Sequence, residues 1–172
     1  MRLLIFLHGT VIMHSGATGR TREERVAQVR TRADPSLRVY ADYVPVDNAV
    51  AKLQRWRDQG AQIDYLSSHQ SSGDIAMDAS VLQKYGFPAG RVLAREPGEG
   101  YDEVAERARP DVLIEDDCES IGADEITHPQ IRPELREHIR SIVVPEFGGI
   151  DHLPDSPAAL LGFGWEPRGT GT

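Results

Sequence analysis

The chain is expected to adopt a three-layer, Rossmann-like α/β fold around a central, mainly parallel sheet of five strands. Three observations predict it. Five short apolar runs recur, at residues 3–7, 63–66, 91–94, 112–114 and 141–144. The stretches between most of them carry apolar residues at helical spacing with start and stop signals. Several runs end abruptly in Gly, Ser or acidic residues, as buried parallel strands do where they deliver polar groups at their carboxyl ends.

In chain order, residues 3–7 form the first strand and stop at Gly9-Thr10. Residues 13–45 break the pattern with glycines, a charged stretch and two prolines, and read as a small cap-like insertion between the first strand and the first core helix. Inside it, Thr21 and Glu24 have the spacing of a capping box, which predicts a helix over about 22–32. Val46, Val50, Leu53 and Trp56 recur at helical intervals, with Asp47 as the cap and Gly60 as the stop. The second strand, 63–66, runs into Ser67-Ser68-His69, and a helix over about 74–85 closes at Gly86 and Pro88. The strand at 91–94 leads to REPGEG, a turn that lacks the Lys-Ser/Thr of a phosphate loop. A helix over 101–109 and the strand at 112–114 follow, and the latter ends in Glu115-Asp116-Asp117. A helical piece near 133–140 precedes the last strand and Pro145-Glu146-Phe147-Gly148-Gly149. The prolines and closing GTGT after residue 154 predict a flexible tail over 155–172, leaving 1–154 as a single domain.

Bulk properties exclude several functions. A chain of 172 residues suits about one domain. Its net charge of -8 argues against a polyanion-binding surface, so the expected partner is a small anionic or phosphorylated molecule and not nucleic acid. The single cysteine, Cys118, permits no internal disulfide and fits a reducing compartment, and its acidic neighbours disfavour a thiolate nucleophile. No apolar run approaches the ~20 residues of a membrane helix, and the N-terminus lacks the pattern of a secretory leader. A cytoplasmic protein without membrane partners is expected.

Right-handed crossovers would bring every strand end to one edge. That edge would collect His8, Gly9 and Thr10, then Ser67, Ser68 and His69, then Arg95, the acids 115–117, and Glu146. The hydroxyls of Ser67 and Ser68 can contact phosphate or cap the next helix. Three adjacent acids repel one another unless a cation or an arginine neutralises them. Their chemistry suits Mg²⁺; a histidine in the shell would shift the preference toward Mn²⁺ or another divalent transition metal.

These motifs, in this order, resemble the haloacid dehalogenase superfamily, mostly magnesium-dependent phosphatases and phosphotransferases. LLIFLHGTV is similar to its first motif, with Gly9 and Thr10 in register; YLSS to the second, with Ser67 at the hydroxyl position; Arg95 to the basic third; and VLIEDD to the acidic fourth. The resemblance implies a cap at 13–45, phosphate contacts from Gly9, Thr10, Ser67, Ser68 and Arg95, and Mg²⁺ on Asp116 and Asp117. It also puts Phe6 where the nucleophilic aspartate belongs and His8 at the general acid/base aspartate. Phenylalanine cannot attack phosphorus, whereas an imidazole can serve as base, acid or metal ligand. The expected activity is therefore a divergent, metal-dependent phosphohydrolase using His8 and Asp116. The alternatives are a catalytically silent binder of a phosphorylated ligand or partner, and a non-phosphatase metal-dependent hydrolase built on the same edge.

Overall fold

Strand β1 (Arg2–Phe6) occupies the centre of the sheet because its side chains are apolar on both faces. The computed structural model describes residues 1–122 and 126–163. Successive side chains of a strand alternate between faces. Leu3 and Ile5 therefore pack on one side, against Leu53 and Trp56 of α2 (Ala49–Asp58) and Val81 and Leu82 of α3 (Ser72–Tyr85). Leu4 packs on the other, with Val104 and Ala105 of α4 (Tyr101–Ala108) and with Ile131 and Ile139. Burial on both faces produces three layers.

Strands β4 (Gln62–Leu66), β5 (Val92–Leu93), β6 (Val112–Asp116) and β7 (Arg140–Val144) complete an all-parallel sheet in the order β5-β4-β1-β6-β7. The chain moves outward from β1 through β4 to β5, then returns across β1 to β6. The connections leaving β1 and β6 diverge, which opens a crevice at their carboxyl ends.

The insertion has a narrow neck, where β2 (Ile12–Met13) pairs antiparallel with β3 (Val44–Pro45). Helix α1 (Arg22–Thr31) begins with the expected capping box between Thr21 and Glu24. It is anchored to the body by Val26, packed with Met13, Ala17, Val46 and Phe147, and by Arg25 Nη1 donating to the Phe147 carbonyl at 3.0 Å.

Several local expectations shift. Asp47 does not cap α2: it takes a left-handed backbone (φ 45°), and Asn48 precedes the helix. The helix expected over 133–140 is a single turn, α5 (Pro133–Arg136), because Arg140 already joins the sheet and its N–H donates to the Asp111 carbonyl. The tail expected from residue 155 is packed through residue 163, with Pro157 and Leu160 buried and the Pro154 carbonyl accepting from Trp56 Nε1. Residues 164–172 of that expected tail lie outside the described residues. Among the described residues no helix is long and apolar enough to cross a membrane.

Candidate functional site

A cavity of about 600 Å³ opens at the carboxyl end of β1, with the insertion forming much of its outer wall. His8 and Gly9 enter it from the loop after β1, Ser68 and His69 from the loop after β4, Asp116 from β6, and Glu146 from the segment after β7. The sheet thus brings His8 and Asp116 to a single cavity. Tyr40, Tyr43, Leu37, Arg30, Arg32 and Arg38 face it from the insertion.

On one flank, three elements meet at Asp78. His8 Nε2 lies 3.1 Å from Asp78 Oδ1, and His69 Nδ1 lies 3.1 Å from Oδ2. Ser67 Oγ donates to Oδ2 at 2.5 Å and accepts from the His69 N–H. The second nitrogen of His8, Nδ1, is 2.8 Å from Ser68 Oγ. The Asp78 side chain is 1 % exposed. Its burial alone would raise the carboxyl, but hydrogen bonds from His69, His8 and Ser67, with the charge of His8, hold it well below the usual carboxylate range. The rings of His8 and His69 lie 4.5 Å apart between centroids, and Tyr40 sits 4.2 Å from His69.

The other flank is acidic, and strand alternation divides the run 115–117. Glu115 follows Leu113 to the α4 face, where it accepts from the N–H groups of Thr127 and His128 and also borders the cavity. Asp116 turns to the cavity, accepting from Thr10 Oγ1 at 2.9 Å and Cys118 N at 3.0 Å. Asp117 accepts from the N–H of Glu146 at 2.9 Å, and its other oxygen lies 3.8 Å from Arg22. Burial first, and then the charge of Glu146, push Asp116 up to about 7. Burial likewise raises Glu146, against two hydrogen bonds from Ser120. The repulsion expected among three adjacent acids is thereby relieved by separation and by retention of a proton.

Of the two acids expected to hold Mg²⁺, Asp116 faces the cavity and Asp117 does not. Phe6 supplies no ligand. All four carboxylate oxygens of Asp116 and Glu146 already accept a hydrogen bond.

Of the other expected phosphate contacts, Gly9 and Ser68 line the cavity, whereas Thr10, Ser67 and Arg95 do not. Thr10 and Ser67 are fully buried and spend their hydroxyls on Asp116 and Asp78. The cap of α3 is Ser71, whose side chain accepts from Asp74 N. Arg95 stacks 4.0 Å over the ring of Tyr101. Phe6 reaches the cavity and meets the same ring edge-on at 5.0 Å. Arg20, Arg22 and Arg25 pair with Glu24, Glu119 and Asp47. The insertion's cavity-lining arginines are Arg30, which also reaches Glu119, Arg32 and Arg38.

No family model matches the chain, and no curated protein matches it either. Solved structures do. A chain of the Pnkp1/Rnl/Hen1 complex is 14 % identical with a TM-score of 0.51, over 84 % of this chain and 45 % of its own length. A second, from a structure of the Pnkp1/Rnl/Hen1 RNA repair complex, is 13 % identical with a TM-score of 0.51, over 84 % and 43 %. This chain therefore spans less than half the length of each of these two. The likeness is one of fold.

Asp78 carried no functional expectation, because mid-helix acids usually face solvent. One signal was available: it stands three and four residues before Val81 and Leu82, on the buried stripe of α3. An acid on such a stripe needs partners.

Proposed function

We propose that the cavity is the active site of a hydrolase for small phosphorylated substrates, a divergent relative of the haloacid dehalogenase-type phosphatases with His8 in place of the usual catalytic acid. The observation that carries this reading is the pairing, across one cavity, of the His8 cluster with a buried carboxyl that keeps its proton up to about pH 7. Phe6 has no nucleophilic atom, which closes a route through an aspartyl-phosphate. Direct attack by water remains open. The water oxygen joins phosphorus, the bond to the leaving oxygen breaks, and Asp116 gives that oxygen its proton. The water's own proton passes by way of the His8 cluster to solvent, from which Asp116 is recharged. Arg30, Arg32 and Arg38 supply positive charge on the substrate side.

The likeness to a chain of an RNA repair complex supports adding nucleotides and RNA ends that carry a terminal phosphate to the ligands tested. The net charge of -8 weighs against a long polyanion track. Phe6 also favours a second reading, a silent relative that binds a phosphorylated ligand without turning it over.

The test is hydrolysis of an aryl phosphate with a panel of divalent metals, by the wild type, His8→Ala and Asp116→Asn. A loss of about 10²-fold or more in both variants is expected. Full activity in both removes the cavity as the active site. No turnover by the wild type, with a nucleoside monophosphate still bound in calorimetry, establishes the silent binder.

A further inference from the structure

His8, His69 and Asp78, from the loop after β1, the loop after β4 and helix α3, each bring one ligand-type atom to the cavity wall, all within 4.8 Å of one another. The ring nitrogens that face Asp78 are His8 Nε2 and His69 Nδ1. The geometry points to a binding site for a divalent transition-metal ion on His8, His69 and Asp78, distinct from the acidic run. As the group that activates the water of the proposed hydrolysis it rests on that reading; as a binding site it stands on geometry alone.

Four observations support it. His8 Nε2 lies 3.1 Å from Asp78 Oδ1 and His69 Nδ1 3.1 Å from Oδ2, near the roughly 3.3 Å that a tetrahedral ion with bonds of about 2.0–2.1 Å sets between ligand atoms. An ion bound here would replace the two hydrogen bonds, with the three residues drawing in around it from within 4.8 Å. Partners outside the three ligands are also in place. A metal-bound histidine needs its other nitrogen held, and His8 Nδ1 meets Ser68 Oγ at 2.8 Å; a ligating carboxylate is itself hydrogen-bonded, and Ser67 Oγ donates to Asp78. The two imidazoles are fixed by neighbouring rings, Tyr43 at 5.7 Å from His8 and Tyr40 at 4.2 Å from His69. Finally, the histidine side chains keep 18 % and 14 % exposure toward the cavity, which leaves room for water or substrate on the ion.

The donor set decides the class. Two imidazole nitrogens and one carboxylate suit Zn²⁺, Fe²⁺, Mn²⁺ or Co²⁺ better than Mg²⁺, which prefers oxygen and near-octahedral geometry. A bound ion of this class supplies hydroxide near neutral pH by acidifying its water. Asp116 would then serve the leaving oxygen from the opposite flank.

The experiment is titration of chelator-treated protein with Co²⁺ alone, read by visible ligand-field bands and equilibrium dialysis. Folding of each variant is checked by circular dichroism. One Co²⁺ per chain is expected, with affinity reduced tenfold or more in His69→Ala and retained in Asp117→Asn. His69 is partly exposed, so its truncation is tolerated where Asp78→Asn could unfold the chain. Absence of Co²⁺ binding by the folded wild type overturns the site and leaves the cluster a hydrogen-bonded clasp. Binding that survives in His69→Ala but is lost in Asp116→Asn overturns it in favour of the acidic flank. Binding as expected, with no aryl-phosphate hydrolysis under any metal, upholds the site and rejects the hydrolase.

Discussion

Asp116→Asn should change how stability depends on pH. The carboxyl is 5 % exposed and pushed up to about 7, whereas an unfolded aspartate titrates near 3.9. Between those values the folded chain holds a proton that the unfolded chain has released. Stability therefore falls as pH rises through this window, at up to about 1.36 kcal/mol per pH unit. Integrated from pH 5 to pH 7, the wild type loses about 2 kcal/mol on account of this group, and little more by pH 8. Asparagine has almost the same shape. Its carbonyl can accept from Cys118 N while its amide donates to Thr10 Oγ1, whose hydroxyl can rotate, so both contacts survive. Glu146, raised chiefly by its own burial, acts with the same sign in both proteins and so drops out of the difference between them. Asp78, held low, acts in the opposite direction and only under acid conditions: its stabilisation is present above the unfolded value near 3.9 and fades as pH falls below it. The assay is urea unfolding followed by tryptophan fluorescence at pH 5, 6, 7 and 8, with buried Trp56 as reporter. The variant should gain about 2 kcal/mol on the wild type across that range. A difference between the two proteins that stays constant from pH 5 to 8 would refute the assignment of a proton to Asp116.

Two further outcomes follow from the same site. If Asp116 is the proton donor, kcat on a substrate with a poor leaving group should decline above about pH 7. That alkaline limb should vanish in Asp116→Asn, and a limb unchanged in the variant assigns the titration elsewhere. Gly9→Ala should lower the melting temperature by several degrees, because φ of +81° costs a non-glycine residue about 1 kcal/mol or more. The new Cβ would also lie 3.0 Å from Asp116 Oδ2 and 3.2 Å from Glu146 Cγ, so calorimetry showing no change would mean that the loop is looser than described.

The layout of the fold was legible because it rests on local signals. Five apolar runs became the five parallel strands, the Thr21–Glu24 spacing became a capping box, and Gly86 became a left-handed helix end at φ 73°. What could not be read is which polar group faces which. Ser67 and Ser68 are adjacent and equivalent in composition, yet strand alternation buries the first hydroxyl on Asp78 and leaves the second at the cavity. The acids at 115–117 read as one cluster, but each carboxylate meets different partners: Glu115 the N–H groups of Thr127 and His128, Asp116 the Thr10 hydroxyl and Cys118 N–H, and Asp117 the Glu146 N–H. Asp78 was missed because a single acid on a helix carries no motif; its role depends on two histidines 70 and 9 residues away.

These placements explain how a sheet edge can lack the aspartate at Phe6 and still hold a reactive constellation. The cavity straddles β1, and the two flanks differ in charge state. On the β6 side, burial and a like charge favour protonated carboxyls, which donate protons and bind cations poorly. On the β4 side, three donors keep Asp78 ionised, so the negative charge resides at the imidazole pair. A cation and a proton donor thus have separate places, one on each side of the central strand. The same separation makes the flanks independently testable: Asp116→Asn should remove the loss of stability between pH 5 and 8 that its carboxyl causes while leaving Co²⁺ affinity unchanged, whereas His69→Ala should reduce that affinity tenfold or more.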